Sequence, residues 1–252
     1  MAQIDRSFVG EGTIYARTYQ SQAALLDIGN CDTFSVSYAT NRTTLPNYRG
    51  GGGNRNVRES VTDVTATIGM YDLTPTNLAR VVRGTIQVTE AAAITDEPLV
   101  CEGIAGELIP FATLPDTDET VTINAVGDPV VPLVAGVDYQ LVPHGIIVKD
   151  ASKFTPAGVT ASYTPLPASV VQMLTAGQVE LEIYVAGLND AQSGEPFSVR
   201  ARRAKFGLIS ELPVFGTEYL RLEAPVELLA DDLVTDPGIS KFCAMELVHK
   251  GS

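Results

Sequence analysis

The chain has no tryptophan, only two histidines and three cysteines, and no apolar run of the length needed to span a bilayer. Each scarcity narrows the chemistry. His144 stands in the turn-like VPHG and His249 lies beside the chain end, and no HExxH is present. A zinc site or a Ser-His-Asp triad would have to use one of these two in a poor setting. Cys31, Cys101 and Cys243 are odd in number, far apart and without CxxC spacing, which suits buried free thiols in a reducing compartment better than disulfides or a metal. The amino terminus, MAQIDRSFVGEGTIYART, lacks a basic segment followed by an apolar one, so no signal peptide is expected.

What is present is an acidic, normally apolar chain of 252 residues with a formal charge of −13, 45% hydrophobic and 19% charged residues. That is a globular composition, long enough for one large β domain or two smaller ones. The acidity is local. Residues 86–165 hold eleven acids against two lysines, while the remainder holds nineteen acids against fifteen bases. Such an excess argues against static nucleic-acid binding, which rests on neutralising phosphates.

Alternation predicts strands at TIYARTY (13–19), ALLDIG (24–29), CDTFSVSYA (31–39) and VTDVTATIGMY (61–71). In the third, Phe34, Val36 and Tyr38 share one face; in the fourth, Val64, Ala66, Ile68 and Met70 do. TPTNLARVVRG carries the punctuation of a short helix, with Thr74 as N-cap, Pro75 in the first helical position, Gly84 as the stop, and Leu78, Val81 and Val82 as the apolar side.

From Ile86 to Pro165 the texture turns Ala-, Thr-, Pro- and acid-rich, with strand-length pieces ETVTINAV, DYQLVP, GIIVKD and VTASYTP. The reading is mainly β: a discontinuous domain formed by 1–85 and 166–252, interrupted by a small acidic β domain over 86–165. Alternation resumes at QVELEIYVAGLNDAQSGEPFSVRARRAKFG and again near the end at SKFCAMELV (240–248). A hairpin folded about Ala191 sets Glu182 opposite Arg200 and Glu180 opposite Arg202.

The stretch LPNYRGGGGNRNVRES (45–60) reads as a long, basic, glycine-rich loop between two strands. It holds no lysine and leads into a strand, so it does not match the phosphate-binding GxxxxGK[ST]. LPDTDET supplies Asp116, Asp118 and Glu119 without the glycine and distal glutamate of a calcium loop. Glu180 and Glu182 share a strand face with Arg200 and Arg202, which keeps both ionised rather than raising one as a general acid. No GxSxG or GxGxxG is present. No catalytic, cofactor-binding or metal-binding set is therefore expected, and the chain is read as a non-enzyme.

Four strands with one apolar and one wet face predict an antiparallel sheet packed on a core from one side. Its exposed edges invite pairing with other copies, and a ring joined edge to edge removes them. The inward, lumen-facing residues are then Thr33, Ser35, Ser37, Asp63, Thr65, Thr67, Glu180, Glu182, Tyr184, Ser198, Arg200 and Arg202. This lining is slightly negative, without aromatic stacks, a surface on which DNA slides rather than sticks.

The chain resembles the major tail tube proteins of long-tailed, non-contractile bacteriophages. The likeness lies in LLDIGNCDTFSVSYAT, NYRGGGGN and VRESVTDVTATIGMYDLTPTNLARVVRG, and then in LNDAQSGEPFSVRARRAKFG, VELLADD and SKFCAMEL. The middle, with PLVAGVDYQLVPHGIIVKD and VTASYTP, is similar to small β modules inserted into such proteins. The resemblance implies a β-sandwich or barrel fold in hexameric rings stacked around a tape-measure protein. Tail terminator and distal tail proteins would be further partners, and the emptied lumen conducts the double-stranded DNA genome. It implies a virion location after assembly in the bacterial cytoplasm, without membrane contact; the acidic insertion departs from the simplest members of that family, and it is expected on the tube exterior because a module of charge −9 repeated six-fold would crowd the lumen. It also implies that Tyr48, Arg49, Gly50, Gly51, Gly52, Gly53, Arg55 and Arg58 form a ring-stacking loop; a disordered decoration is the bland alternative. Rival readings are a receptor- or carbohydrate-binding β-sandwich, against which the missing tryptophan counts, a tail terminator or secretion tube, and a β-fold hydrolase.

Overall fold

The computed structural model describes residues 6–127 and 130–248; His249 falls outside them. The protein is mainly β. In chain order come β1 (Gly10–Thr18), β2 (Leu26–Asp27), β3 (Cys31–Pro46), β4 (Asn54–Met70) and the helix α1 (Pro75–Val82). There follow β5 (Thr85–Thr89), β6 (Ile94–Leu99), β7 (Leu108–Pro110), β8 (Thr122–Ala125), β9 (Val131–Pro132), β10 (Tyr139–Val142), β11 (Gly145–Val148), β12 (Val159–Tyr163) and β13 (Ala168–Gln172). The last four are β14 (Glu180–Asn189), β15 (Glu195–Phe206), β16 (Leu222–Leu228) and β17 (Cys243–Leu247). The chain divides into two compact units, unit 1 from residues 1–85 and 171–252 and unit 2 from residues 86–170.

Unit 1 is built on one antiparallel sheet of eight strands in the order β2-β1-β14-β15-β16-β4-β3, with β17 also on β15. β15 is shared along its length: Phe197–Ala201 pair with β17, and Ala204–Phe206 pair with β16. The alternation of β4 works as a wedge, because Val64, Ala66, Ile68 and Met70 are buried while Thr65 and Thr67 stay half-buried on the other side. They join Ile14, Ile183, Ala201, Phe206, Leu222 and Val226 in one apolar core. β16 is not among the strands anticipated above. Pro225 disguises it, since a proline cannot donate to a ladder; here Pro225 lies opposite Thr67 and its carbonyl accepts from Gly207 at 2.7 Å.

α1 closes the core from one side with buried Val81 and Val82. Thr74 Oγ1 accepts from the Asn77 amide at 3.2 Å and Pro75 opens the first turn, as expected of a capped start. The stop differs from expectation. Arg83, not Gly84, takes the left-handed conformation, at φ 52. Gly84 is needed next to it for space: a Cβ there would meet the Gln172 carbonyl and the Val171 side chain at 2.8 Å.

Unit 2 has its own core, from Ile109, Ile123, Tyr139, Ile146, Val159 and Tyr163. It comprises a three-stranded sheet β10-β11-β7 and a four-stranded sheet β6-β12-β8-β9. Phe111 and Tyr163 pack ring on ring at 4.6 Å. The outgoing and returning strands β5 and β13 pair with each other.

Candidate functional site

Three features of unit 1 are not explained by its core: a charged outer face, a projecting hairpin and an open apolar groove. The outer face follows from cross-strand register. Ser35 lies opposite Thr67 and Ser37 opposite Thr65; Thr67 then faces Pro225 and Thr65 faces Glu227. Glu227 faces Lys205, Lys205 faces Glu180, and Glu182 faces Arg17. The sheet thus brings Thr33, Ser35, Ser37, Asp63, Thr65, Thr67, Glu180, Glu182, Tyr184, Ser198, Arg200 and Arg202 to the side away from the core.

The expected charge pairing is corrected in detail. Tyr184, not Glu182, sits opposite Arg200, and Lys205, not Arg202, sits opposite Glu180. The cause is twofold. The turn runs through Asp190–Gln192 with Ser193 left-handed, so the hairpin folds one residue later than Ala191. A bulge then shifts the register between Leu181 and Ile183. Ala201 and Ala204 both point to the core, leaving Arg202 and Arg203 together between them on the outer side.

Glu182 consequently holds Arg17 on one side and Arg200, at 3.1 Å, on the other. Glu180 holds Arg203 at 2.8 Å and Lys205 at 3.1 Å. Hydrogen bonds from Arg203 and then Lys205 draw the Glu180 carboxyl down to about 2. Arg203 also lies over the Tyr19 ring, whose hydroxyl donates to Asp231 at 2.6 Å; that bond raises the Tyr19 phenol. Farther along, Arg221 joins Asp32 at 2.7 Å and also Glu223, and its hydrogen bond holds the Asp32 carboxyl below its ordinary value. Arg202 donates to the Ser240 carbonyl at 2.9 Å.

The periodicity reading left out Arg17, Arg203, Lys205, Arg221, Asp32, Glu223 and Glu227. TIYART and LEAPVEL carried the signal for some of them, as alternation. With these and Glu246, which lies opposite Ser198, included, six cations (Arg17, Arg200, Arg202, Arg203, Lys205, Arg221) stand against seven carboxylates (Asp32, Asp63, Glu180, Glu182, Glu223, Glu227, Glu246). The face carries a slight negative excess. Ionised, ion-paired carboxylates do not serve as general acids. Among the described residues no group of three or more His, Cys, Asp or Glu is placed to hold a metal ion.

The second feature corrects the reading of residues 45–60 as a loop. β3 continues to Pro46 and β4 begins at Asn54, so only Asn47–Gly53 connects them. Arg55 and Arg58 lie in β4, while Tyr48, Arg49 and Gly50–Gly53 form the tip. Thr40 to Pro46 pair with Val61 to Asn54, and every one of these residues is exposed. At about 3.4 Å per residue the ribbon reaches roughly 25 Å beyond the core. Ladder hydrogen bonds rather than burial hold it, which is why period-2 hydrophobicity does not mark it. Gly50, Gly51, Gly52 and Gly53 all have positive φ, a conformation open to glycine at little cost. Asn47 fixes the turn by donating from Nδ2 to the Gly50 carbonyl at 2.8 Å. Among the described residues, Arg42, Arg49, Arg55 and Arg58 make no ion pair, unlike Arg17, Arg200, Arg203 and Arg221 of the body.

The third feature is a cavity of about 710 Å³ at the open seam where the two ends of the sheet curl toward each other. Ile14 of β1, Phe34 and Val36 of β3, Phe197 and Val199 of β15, and Met245 of β17 line it. The flanking edges are open as well. Among the described residues β3 pairs only with β4, and β1 pairs with β2 only at Tyr15 and Ala16.

No curated protein matches the chain. A family model described as "Protein of unknown function UCP028589" matches residues 7–246. Because that match runs through both units and nearly the whole length, the chain belongs to this family.

Proposed function

We propose that the protein is a structural subunit of the tail tube of a long-tailed, non-contractile bacteriophage. In this reading it forms hexameric rings that stack around a tape-measure protein and later conduct double-stranded DNA. One observation carries the reading: a single curled sheet presents a continuous wet face of interleaved cations and carboxylates between two open edges. Edges of that kind pair with other strands unless something blocks them, and a closed ring of copies satisfies them all. The outer face then becomes the lining. Most of its cations (Arg17, Arg200, Arg203, Lys205 and Arg221) are already ion-paired within each copy, which leaves passing phosphates few free cations to bind.

The resemblance to tail tube proteins points the same way. The projecting ribbon, with unpaired arginines at Arg49, Arg55 and Arg58 and an otherwise acidic chain to meet, suits contact with the adjoining ring. No catalytic step is assigned, and unit 2 is placed on the tube exterior. Electron microscopy of concentrated protein tests the proposal. Rings or hollow tubes are expected, with Thr65, Glu180 and Arg203 toward the bore; a lasting monomer, or those residues on the outer wall of an assembly, refutes it.

A further inference from the structure

We infer that the apolar groove of unit 1 receives a prong, centred on Val214 and Phe215, from a second copy of this chain. The inference deepens the tube proposal and rests on its premise of self-assembly. Residues 208–221 contain no helix or strand, and among the described residues no backbone hydrogen bond anchors 210–220. Yet this segment is not a frayed loop. Leu212 and Leu220 pack on the core, and Arg221 is bound to Asp32 at its root. Between these anchors Val214 is 75% exposed, Phe215 95% and Tyr219 93%. A segment fixed at both ends that holds three large apolar side chains in water is built to be covered, and aromatic anchors of this kind carry much of the energy at interfaces.

The groove supplies the complementary shape. Its volume of about 710 Å³, walled by Phe34, Val36, Phe197, Val199 and Met245, has room for a phenylalanine and a valine. Phe215 of the same chain does not fill it, being almost wholly exposed. Prong and groove are different surfaces, so a contact made one way between copies, as ring closure requires, is head-to-tail and propagates into a ring or a filament. Two aromatics and a valine cover too little area for a stand-alone complex, which needs about 1,200 Å² in total. The contact therefore adds to edge pairing within an assembly rather than making a tight dimer. The basic hairpin tip is a poorer occupant. The wall is largely apolar, the tip offers one large apolar side chain, Tyr48, and of the two carboxylates beside the groove, Glu11 and Asp32, the latter is already bonded to Arg221.

The groove contains its own reporter, since Cys243 lines it. Cys31 also lines it, but burial pushes that thiol up to about 11, which leaves it slow to react. Phe215→Cys in the full chain, concentrated and treated with a short bismaleimide, is expected to give a covalent ladder, the introduced thiol of one copy linking to Cys243 of the next. Adding Met245→Glu, an exposed strand position, should weaken the ladder about tenfold by placing a charge in the apolar wall; circular dichroism checks that this variant is folded. Links confined to one chain, links from Tyr48→Cys in their place, or no links at all overturn the inference. Tubes seen by microscopy without a ladder sink the inference and leave the tube proposal standing; a ladder without rings or tubes does the reverse.

Discussion

Arg203 clasps Glu180 through two parallel hydrogen bonds of 2.8 Å, Nε to Oε2 and Nη2 to Oε1. The pair exists because a bulge turns Arg203 outward beside Arg202. It locks β15 to β14 at the position where the two strands change register. Bidentate geometry makes it stronger than a single-contact surface pair. Its consequence is an acid-sensitive seam.

The sign follows from the direction of the shift. The folded Glu180 carboxyl titrates at about 2, against 4.5 for an unperturbed glutamate. Its contribution to stability is thus complete above about pH 4.5 and is lost as pH falls toward 2. Glu180→Gln should lower the urea midpoint at pH 7 and lose less than the parent protein between about pH 5 and pH 2.5. Equal acid losses in the two proteins would show that the pair does not couple to folding.

Ile68 is fully buried near the carboxy-terminal end of β4, between Phe34 of β3 and Ala224 of β16. Ile68→Ala removes that packing and leaves a cavity, at a cost of about 2–5 kcal/mol. Thr67→Ala, one residue along on the outer face, should change stability by less than about 0.5 kcal/mol. Urea melts of both variants measure the contrast. Similar losses would mean that β4 does not bury one face only.

Much of this was legible in the sequence where burial is one-sided. Val64, Ala66, Ile68 and Met70 announce their strand because a half-buried strand must alternate, and Thr74 and Pro75 announce a helix because unpaired amides need a cap. The change of composition at Ile86 coincides with the first residue of unit 2. The ribbon between Thr40 and Val61 was hidden, because a strand exposed on both faces has no hydrophobic period. β16 was hidden by Pro225, and the Arg202–Arg203 bulge by the lack of any compositional mark for one extra residue in a ladder. The bulge, together with a turn that folds one residue later than Ala191, accounts for the misplaced pairing of Glu180. The groove needed the fold itself, since its residues are scattered from Phe8 to Met245, and the prong needed it to show that Val214 and Phe215 stay uncovered.

Unit 2 should be removable. Gly84 lies against Val171 and Gln172, so the chain ends left by excising residues 86–170 are already neighbours. The two units have separate cores, and neither apolar cluster shares a buried residue with the other. A chain joining Thr85 to Val171 through a short glycine-serine linker is expected to fold cooperatively and, on the tube proposal, to assemble with unchanged bore. A widened or collapsed lumen by microscopy would contradict the exterior placement of unit 2.

The ribbon gives the most direct test of stacking. Its exposed residues contribute little to the core, so reversing Arg49, Arg55 and Arg58 to glutamate should alter monomer stability by no more than about 0.5 kcal/mol per site. The same triple change replaces three unpaired cations by three anions in a chain that is already acidic. Contacts between rings should become repulsive, while contacts within a ring, made by sheet edges and groove, stay intact. Single rings in place of tubes are expected by negative-stain microscopy, with lower salt making the defect worse because screening falls. Normal tubes from the triple variant would exclude the arginines from stacking. Failure to form even single rings would move the ribbon into the ring's own interface, and the four glycines of its tip would then have to fit a neighbour's flank rather than the ring above.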